Sequence, residues 1–393
     1  MADTSNVAIS HIKINDVDFF SAFDSCTIFE DITRNSWSGH VDIIDNDDFR
    51  ESIPIIGEEK ISIRFASKQP VSGNTDEWIT FDGVITKLSN FREASSTQRR
   101  YRLHFYSQGA EKNRTKRVRK VYDGTGTEIA NRILQKQLET SLGKVDPAKY
   151  SQRFVFPNWT PFQCINYLAS VSVSKQYNDP AYLFYEDRNG YHMTTLSKLM
   201  DKGFSETINT KIIQNRTDPI SDTVLASVTL HDPLFDIIEN TDAGMYGTTL
   251  ITYDKVYKRF KEETKTYTDS YNDFKHLGTE KLTRKRIESP KNKFQFIMIN
   301  DAKSPGVYSN TDDWAMQSMI RPSQIFGFRA HISLNRSTDI RLGDVLDWNL
   351  LVSRDSEERD KILAGKWMVA RIRHQFNNIN YNPNIEFIKD SIK

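Results

Sequence analysis

The sequence is poor in cysteine, glycine and proline, and it has no long hydrophobic run. Its 393 residues include only two cysteines, Cys26 and Cys164, too few for a disulfide-rich scaffold or a four-thiolate zinc site. Seventeen glycines and twelve prolines exclude a collagen-like or linker-dominated chain. No apolar run approaches the roughly 20 residues of a membrane-spanning helix, and the N-terminus shows no secretory signal. We therefore expect no membrane insertion.

The chain also lacks a large net charge of either sign. Lysine and arginine total 53 and aspartate and glutamate 52, which leaves a formal net charge of +1. That balance excludes a protein whose whole surface is built to bind nucleic acid or an anionic membrane. With 38% hydrophobic and 27% charged residues, the chain has the composition of folded domains rather than of a disordered segment. Its length predicts two to four such domains.

Motifs of metal and catalytic sites are missing. No HExxH, Cys-x-x-Cys or His-x-His pattern occurs, although there are eight histidines: His11, His40, His104, His192, His231, His276, His331 and His374. No GxSxG elbow is present, and neither cysteine has the setting of a nucleophile. We expect no catalytic residue, no metal ligand and no cofactor-binding residue. Both cysteines are expected to pack as small apolar groups.

The first hundred residues have the alternation of half-buried strands. Ile61, Ile63 and Phe65 alternate with polar residues, and Tyr101 and Leu103 continue this pattern further along. Strands at short intervals, separated by turn residues, are typical of a small antiparallel barrel or sandwich. The sequence predicts a first β-barrel over residues 1–110.

A helical period appears in the middle of the chain. Thr125 and Glu128 have the spacing of a capping box, and Thr160 followed by Pro161 predicts the start of a second helix. A hairpin with an Asn-Gly turn follows, close to Gly190. These features predict an α+β domain over residues 111–205.

Strand patterns return in the last part of the chain. We assign a second β-barrel to residues 206–250 plus 312–393, interrupted by a polar insertion at 251–311 that is rich in lysine, threonine and tyrosine. The insertion carries too many charges to be wholly buried, so it is expected to be peripheral and removable. The predicted fold class is β-rich α+β, with two small β-barrels of similar fold and an intervening α+β domain.

Three local motifs have both a functional and a purely structural interpretation. Gly124 and Gly126 precede a helix but lack the third glycine of a dinucleotide-binding loop, so a turn and helix cap is favoured. Residues 45–48 (Asp-Asn-Asp-Asp) lack the rest of a calcium loop, so a solvated turn is favoured. Residues 112–120 hold six cations, which fits a solvated connection, docking on an acidic protein or contact with nucleic acid.

Several segments, in order along the chain, resemble the central hub of contractile-tail baseplates. The family includes baseplate hub proteins of bacteriophages and the N-terminal part of type VI secretion spike proteins. The resembling segments are Phe81-x-Gly83-Val84-Ile85, Tyr101-x-Leu103-x-Phe105, Tyr122-Asp123-Gly124-Thr125, Pro157-Asn158-Trp159-Thr160-Pro161-Phe162, Leu183-Phe184-Tyr185-Glu186-Asp187, Trp314-x-Met316-Gln317, Leu342-Gly343-Asp344-Val345 and Gly365-Lys366-Trp367-Met368-Val369.

The resemblance implies a structural role without catalysis. It implies a homotrimeric ring of six barrels that adapts a sixfold tail tube to a threefold spike, within the baseplate of a virion assembled in the host cytoplasm. The implied partners are the chain itself, a spike trimer, a tail tube hexamer and other baseplate proteins, with DNA passing through the ring without sequence-specific binding. Because the sequence stops soon after the second predicted barrel, we expect no spike-type β-helix or hydrolase domain to be fused to it.

Two other functions remain open from the residues alone. A tail-associated glycan hydrolase would need paired carboxylates, and acidic residues are plentiful, although no pair stands out. A carbohydrate- or receptor-binding tail module would also be rich in strands and aromatic residues. Mass in solution and co-purification with a spike protein would separate these functions from that of a hub.

Overall fold

The computed structural model describes residues 7–46, 49, 53–67, 78–93, 98–203, 206–209, 226–231, 236–282, 294–299, 310–325, 327–334, 340–350 and 358–392. Strands dominate this part of the chain and the helices are short, which confirms a β-rich α+β fold. None of the helices it contains has the length and apolar character needed to cross a membrane.

The strands are β1 (Val7–Ile14), β2 (Val17–Asp18), β3 (Phe23–Asp31), β4 (Ser38–Asp45), β5 (Lys60–Ser67), β6 (Ile79–Glu93), β7 (Arg99–Ser107), β8 (Val118–Thr125), β9 (Leu142–Val145), β10 (Ser151–Trp159), β11 (Tyr182–Asp187), β12 (Gly190–Thr195), β13 (Glu206–Asn209), β14 (Ala226–Leu230), β15 (Gly247–Asp254), β16 (Arg259–Thr266), β17 (Phe294–Ile299), β18 (Phe328–Leu334), β19 (Val345–Asn349), β20 (Gly365–Asn377) and β21 (Asn384–Lys389). The α-helices are α1 (Gln108–Thr115), α2 (Gly126–Ile133), α3 (Pro161–Val171), α4 (Leu196–Met200), α5 (Ile237–Asp242), α6 (Tyr267–Ser270), α7 (Thr311–Trp314) and α8 (Gln317–Gln324).

One large sheet contains strands from both ends of the chain. Its strand order is β14-β18-β21-β20-β3-β4-β7-β6-β5-β1-β2, with β19 paired to β20 and β13 paired to β19. The pairing follows an open path, so the described residues form no closed barrel of the kind expected from the sequence. Three smaller sheets complete the fold, β10-β8, β11-β12-β9 and β16-β15-β17.

The two β regions have the same strand order. Neighbours in the first region run β3-β4-β7-β6-β5-β1, and neighbours in the second run β14-β18-β21-β20-β19-β13. The matched strands also follow one another in the same order along the chain. The first four contacts of each series are antiparallel in both regions. The fifth differs, because β1 is antiparallel to β5 whereas β13 is parallel to β19.

The register of the two regions matches as well. A bulge interrupts β6 between Ile85 and Lys87, and a bulge interrupts β20 at the matched place, between Val369 and Arg371. Following the cross-strand pairs from these bulges, residues 25–28 (Ser-Cys-Thr-Ile) match 227–230 (Ser-Val-Thr-Leu), and 39–41 (Gly-His-Val) match 330–332 (Ala-His-Ile). The same β unit therefore occurs twice along the chain.

The two β regions join where β20 pairs with β3. β21 occupies one edge of β20, and β19 and β3 occupy successive halves of the other edge. The core follows the same joint, because Phe376 and Tyr381 are buried among residues of the first region. In return Ile32, from the first region, is buried among residues of the second. The chain termini thus belong to one packed unit.

The middle of the chain is a compact α+β unit. Helix α2 begins at a capping box formed by Thr125 and Glu128, and α3 begins at one formed by Thr160 and Gln163, with Pro161 in the first turn. Both predicted helix starts are therefore confirmed. The apolar faces of these helices pack over β8, β10 and β11 in a core of their own.

In the sequence, residues 231–327 form a long connection between β14 and β18. Part of the segment 251–311, expected to be peripheral, is packed into the molecule. Leu277 belongs to the core of the second β region, and Tyr267 and Tyr271 are buried. Strand β16 carries five charged residues of this segment and is largely exposed, so the segment contains both a solvent-exposed strand and a buried turn. The division at 110, 205, 250 and 312 stays a prediction.

Candidate functional site

The buried histidines are each held by a carboxylate of the protein. The contacts are His192 Nε2 to Asp187 Oδ1 at 2.8 Å, His276 Nδ1 to Asp390 Oδ2 at 2.7 Å and His374 Nε2 to Glu30 Oε2 at 2.9 Å. Elsewhere His40 and His104 face each other on the outer side of β4 and β7, with ring centroids 5.9 Å apart. Within the described ranges, no three histidine, cysteine, aspartate or glutamate residues are grouped as a metal site. His192, His276 and His374 are therefore hydrogen-bond partners of buried carboxylates.

The two cysteines are packed as apolar groups, as the sequence predicts. Cys26 is buried in the core of the first β region and Cys164 in the core of the middle unit. Burial raises the pKa of both thiols, that of Cys164 to about 12. Both are protonated at neutral pH, which leaves no thiolate nucleophile at either position.

Two neighbouring buried carboxylates, Glu186 and Asp187, point away from each other. Burial raises the pKa of Glu186 to about 8. Burial acts in the same direction on Asp187, but the contact with His192 outweighs it and lowers the pKa of that carboxyl. Successive residues of a strand face opposite sides of the sheet. The two groups therefore do not face one cleft, as the acid and nucleophile of a glycan hydrolase must.

The turn at Gly124 and Gly126 is a turn and helix cap, as predicted. Gly124 has a φ of +140°, a conformation that side chains rarely adopt. A Cβ on Gly126 would lie 2.1 Å from the Ser172 hydroxyl, so the close approach of α2 to that residue requires glycine. In the acidic run at 45–48, Asp45 is buried and accepts a hydrogen bond from the Phe49 backbone N–H at 3.0 Å. Asp47 and Asp48 lie outside the described residues.

The basic run at 112–120 spans the end of α1 and the start of β8. Lys112 Nζ forms an ion pair with Glu139 at 2.7 Å. Arg117 donates hydrogen bonds to two backbone carbonyls of its own turn, and Arg119 to an asparagine of β10. Most of these side chains remain exposed, so docking on an acidic protein or contact with nucleic acid stays open for this surface.

A buried polar cluster lies at the joint between β20 and β3. His374 on β20 contacts Glu30 on β3 through one ring nitrogen and the Tyr381 hydroxyl through the other, at 2.8 Å. The second oxygen of Glu30 accepts the backbone N–H of Arg188, from the β11–β12 turn, at 2.7 Å. One carboxylate therefore ties together the first β region, the second β region and the middle unit.

An ion pair continues this joint towards solvent. Arg371 on β20 donates through Nε to Asp31 on β3 and through Nη1 to Glu386 on β21, both at 2.8 Å. The guanidinium of Arg373 lies over the ring of Phe29, 5.8 Å from its centroid. Sequence patterns missed these residues, because the partners across the joint are 340 to 344 residues apart in the chain and each lies in an ordinary alternating strand.

A second buried cluster surrounds Arg321 on α8, whose side chain is 1% exposed. Its guanidinium lies 3.6 Å from Asp179 and 3.8 Å from Asp390, and it donates to the Lys275 backbone carbonyl at 3.0 Å. His276 also contacts Asp390, whose pKa is lowered because this contact and the guanidinium outweigh burial. The cluster holds residues 275–276 and helix α8 against Asp390, which directly follows β21.

Comparison with known proteins yields one sequence relative and several structures of the same fold. No protein-family model matches the chain. The probable baseplate hub protein gp334 of Vibrio phage KVP40 is 21% identical over 304 residues, which cover 70% of this chain and 69% of that protein. A tail protein from Neisseria meningitidis MC58 aligns with a TM-score of 0.61 at 10% identity, over 98% of this chain and 97% of that one. The 43 kDa tail protein of prophage MuSo2 from Shewanella oneidensis aligns with a TM-score of 0.57 at 10% identity, over 99% and 100% of the two chains.

The two structural alignments cover nearly the whole chain, including both β regions and the middle unit. The predicted resemblance to phage baseplate hub proteins is thus confirmed: the chain is similar in sequence to a baseplate hub protein and has the fold of bacterial and prophage tail proteins.

Proposed function

We propose that this protein is the structural hub of a phage contractile-tail baseplate and has no catalytic role. The observation that carries the proposal is the repeated β unit, with matched strand order and matched bulges in β6 and β20. Three chains that each carry two like units present six like units around one axis. Such a ring matches a sixfold tube on one side while keeping threefold symmetry for a spike on the other.

The partners follow from this role. They are two further copies of the chain, a trimeric central spike and a hexameric tail tube, with other baseplate proteins around the ring. DNA passes through the ring without sequence-specific contacts. The site of action is the virion tail baseplate, assembled in the host cytoplasm.

The test is the stoichiometry of the complex with the spike. Co-expression with a trimeric spike protein, followed by light scattering of the purified complex, should give three copies of this chain per spike trimer. Any other stoichiometry would remove the hub proposal. The chain alone should release no product from peptidoglycan, and turnover that is lost in a carboxylate variant would favour a glycan hydrolase instead.

A further inference from the structure

The repeat leaves one strand edge without the neighbour that its counterpart has. In the first β region, β3 pairs with β4 on one edge and with β20 on the other. Its counterpart β14 pairs with β18 on one edge, and the described part of the chain supplies no strand to the other edge. Among the described strands, β14 is therefore an open end of the large sheet.

Side-chain exposure at matched positions shows the same difference. Ile28 of β3 is fully buried, whereas its counterpart Leu230 of β14 is 38% exposed. Thr27 is 4% exposed, and its counterpart Thr229 is an exposed residue. These residues occupy matched positions in the two β units. Their difference in exposure therefore reflects the neighbouring strand β20, which lies beside β3 and has no described counterpart beside β14.

A strand that could supply this cover is present on the first region. From Arg371 onwards, β20 pairs with β21 on one edge and with β3 on the other. From Lys87 onwards its counterpart β6 pairs with β7 on one edge, while β5 covers only the earlier part, from Ile79 to Val84. Among the described residues, the second half of β6 thus has an open edge at the position that matches the edge of β20 paired with β3.

Among the described residues, these two open edges are not paired with each other within one chain. The intrachain joint between β20 and β3 shows that strand edges at these matched positions pair with each other. The matching occupant of the β14 edge is therefore β6 of a second copy.

We propose that the β6 segment beginning at Lys87 pairs antiparallel with β14 of the next copy, repeating between chains the joint that β20 and β3 make within one. The proposal rests on the hub function and names the contact that builds its ring. It is strand addition at a sheet edge, in which main-chain hydrogen bonds supply the binding. The contact is head-to-tail, so its repetition closes a ring of three when the rotation between copies is a third of a full turn. Internal and external joints then alternate, and three chains give six joints.

The register of the external joint follows from the internal one. Arg373 of β20 pairs with Phe29 of β3. The residue of β6 that matches Arg373 is Ser89. The residue that matches Phe29 is His231, which follows β14. Its backbone N–H donates to the Arg329 carbonyl and so continues the β14–β18 ladder. We therefore expect Ser89 to lie opposite His231 of the partner subunit, at the roughly 5 Å between Cβ atoms of a cross-strand pair.

Cysteine pairing tests this register directly. Ser89→Cys protein is mixed with His231→Cys protein and oxidised, and a disulfide-linked pair of chains is expected only in the mixture. The native Cys26 and Cys164 are buried and give little background. The double variant Phe29→Cys/Arg373→Cys is the matched positive control, since it places the same pair in the internal joint. Val155→Cys, at a residue 66% exposed on β10, replaces Ser89→Cys in the negative control.

The outcomes separate this contact from the proposed function. Linked chains above the Val155→Cys background, at a yield near that of the internal control, support the joint. A second outcome is a three-chain mass by light scattering while the internal control forms its disulfide and the Ser89–His231 disulfide does not form. That result overturns the proposed β6–β14 contact but leaves the hub function supported. A single copy of this chain in the complex with the spike, with no linked chains, overturns both. If His231→Cys does not fold, hydrogen exchange decides: assembly must slow exchange of the β14 amides in the parent protein, and unchanged exchange overturns the joint.

Discussion

The contribution of the internal joint to stability can be measured at Phe376. Phe376 lies on β20 of the second β region, but its side chain is buried in the core of the first β region, with 1% of its surface exposed. Its ring centroid lies 4.2 Å from that of Phe65 on β5 and 5.7 Å from that of Phe23 on β3. Phe376→Ala therefore removes a contact that only the joined arrangement provides.

The expected loss is large because the cavity forms inside a packed core. Truncating a buried phenylalanine to alanine costs about 3–5 kcal/mol, the lost transfer energy of the ring plus the cavity left behind. The stacked pair with Phe65 adds up to about 1 kcal/mol to that range. We expect Phe376→Ala to lower the free energy of unfolding by about 4 kcal/mol.

Urea unfolding followed by circular dichroism measures this loss. The matched control is Phe260→Ala, at a phenylalanine of β16 that is 71% exposed. Truncation there should change the free energy of unfolding by no more than about 0.5 kcal/mol. A loss below about 1 kcal/mol for Phe376→Ala would refute the reasoning, because it would mean that the two β regions do not share a core.

Three further predictions concern the buried polar groups and the segment 251–311. Arg321→Ala should cost about 3–5 kcal/mol in urea unfolding, because it leaves buried carboxylates uncompensated, whereas Arg359→Ala at an exposed ion pair should cost under about 1 kcal/mol. Glu186 keeps its proton in the folded state up to about pH 8 but loses it near 4.5 when unfolded, so the unfolding free energy should fall as pH rises between these values. Glu186→Gln should remove that part of the pH dependence, and an unchanged slope would count against it. Replacing 251–311 by a short linker removes Leu277 from the core, so the thermal midpoint should drop, and a parent-like midpoint would show the segment to be peripheral after all.

Local structure was predictable because its causes are local. A capping box needs only two residues at fixed spacing, so the starts of α2 and α3 could be read from Thr125 and Thr160. Alternation revealed the strands for the same reason. The packing of Leu277 could not be predicted, since composition made the whole of 251–311 look polar.

The joint between the β regions could not be predicted from local patterns at all. Glu30 and His374 meet only because β20 is long enough to pass its own unit and reach β3. Nothing near either residue marks it as a partner of the other. Only the sheet order brings them together, and sheet order is a property of the complete fold.

The repeat was hidden for a related reason. Strand periodicity constrains only which residues are apolar, so two copies of one β unit can diverge until few identities remain, such as the serine and threonine shared by 25–28 and 227–230. A long insertion between β14 and β18 then removes any constant spacing. What the copies retain is backbone geometry, the strand order and the bulge. Because a ring contact made by backbone hydrogen bonds depends on that geometry rather than on particular side chains, the internal joint is a usable template for the contact between chains even where the sequences differ.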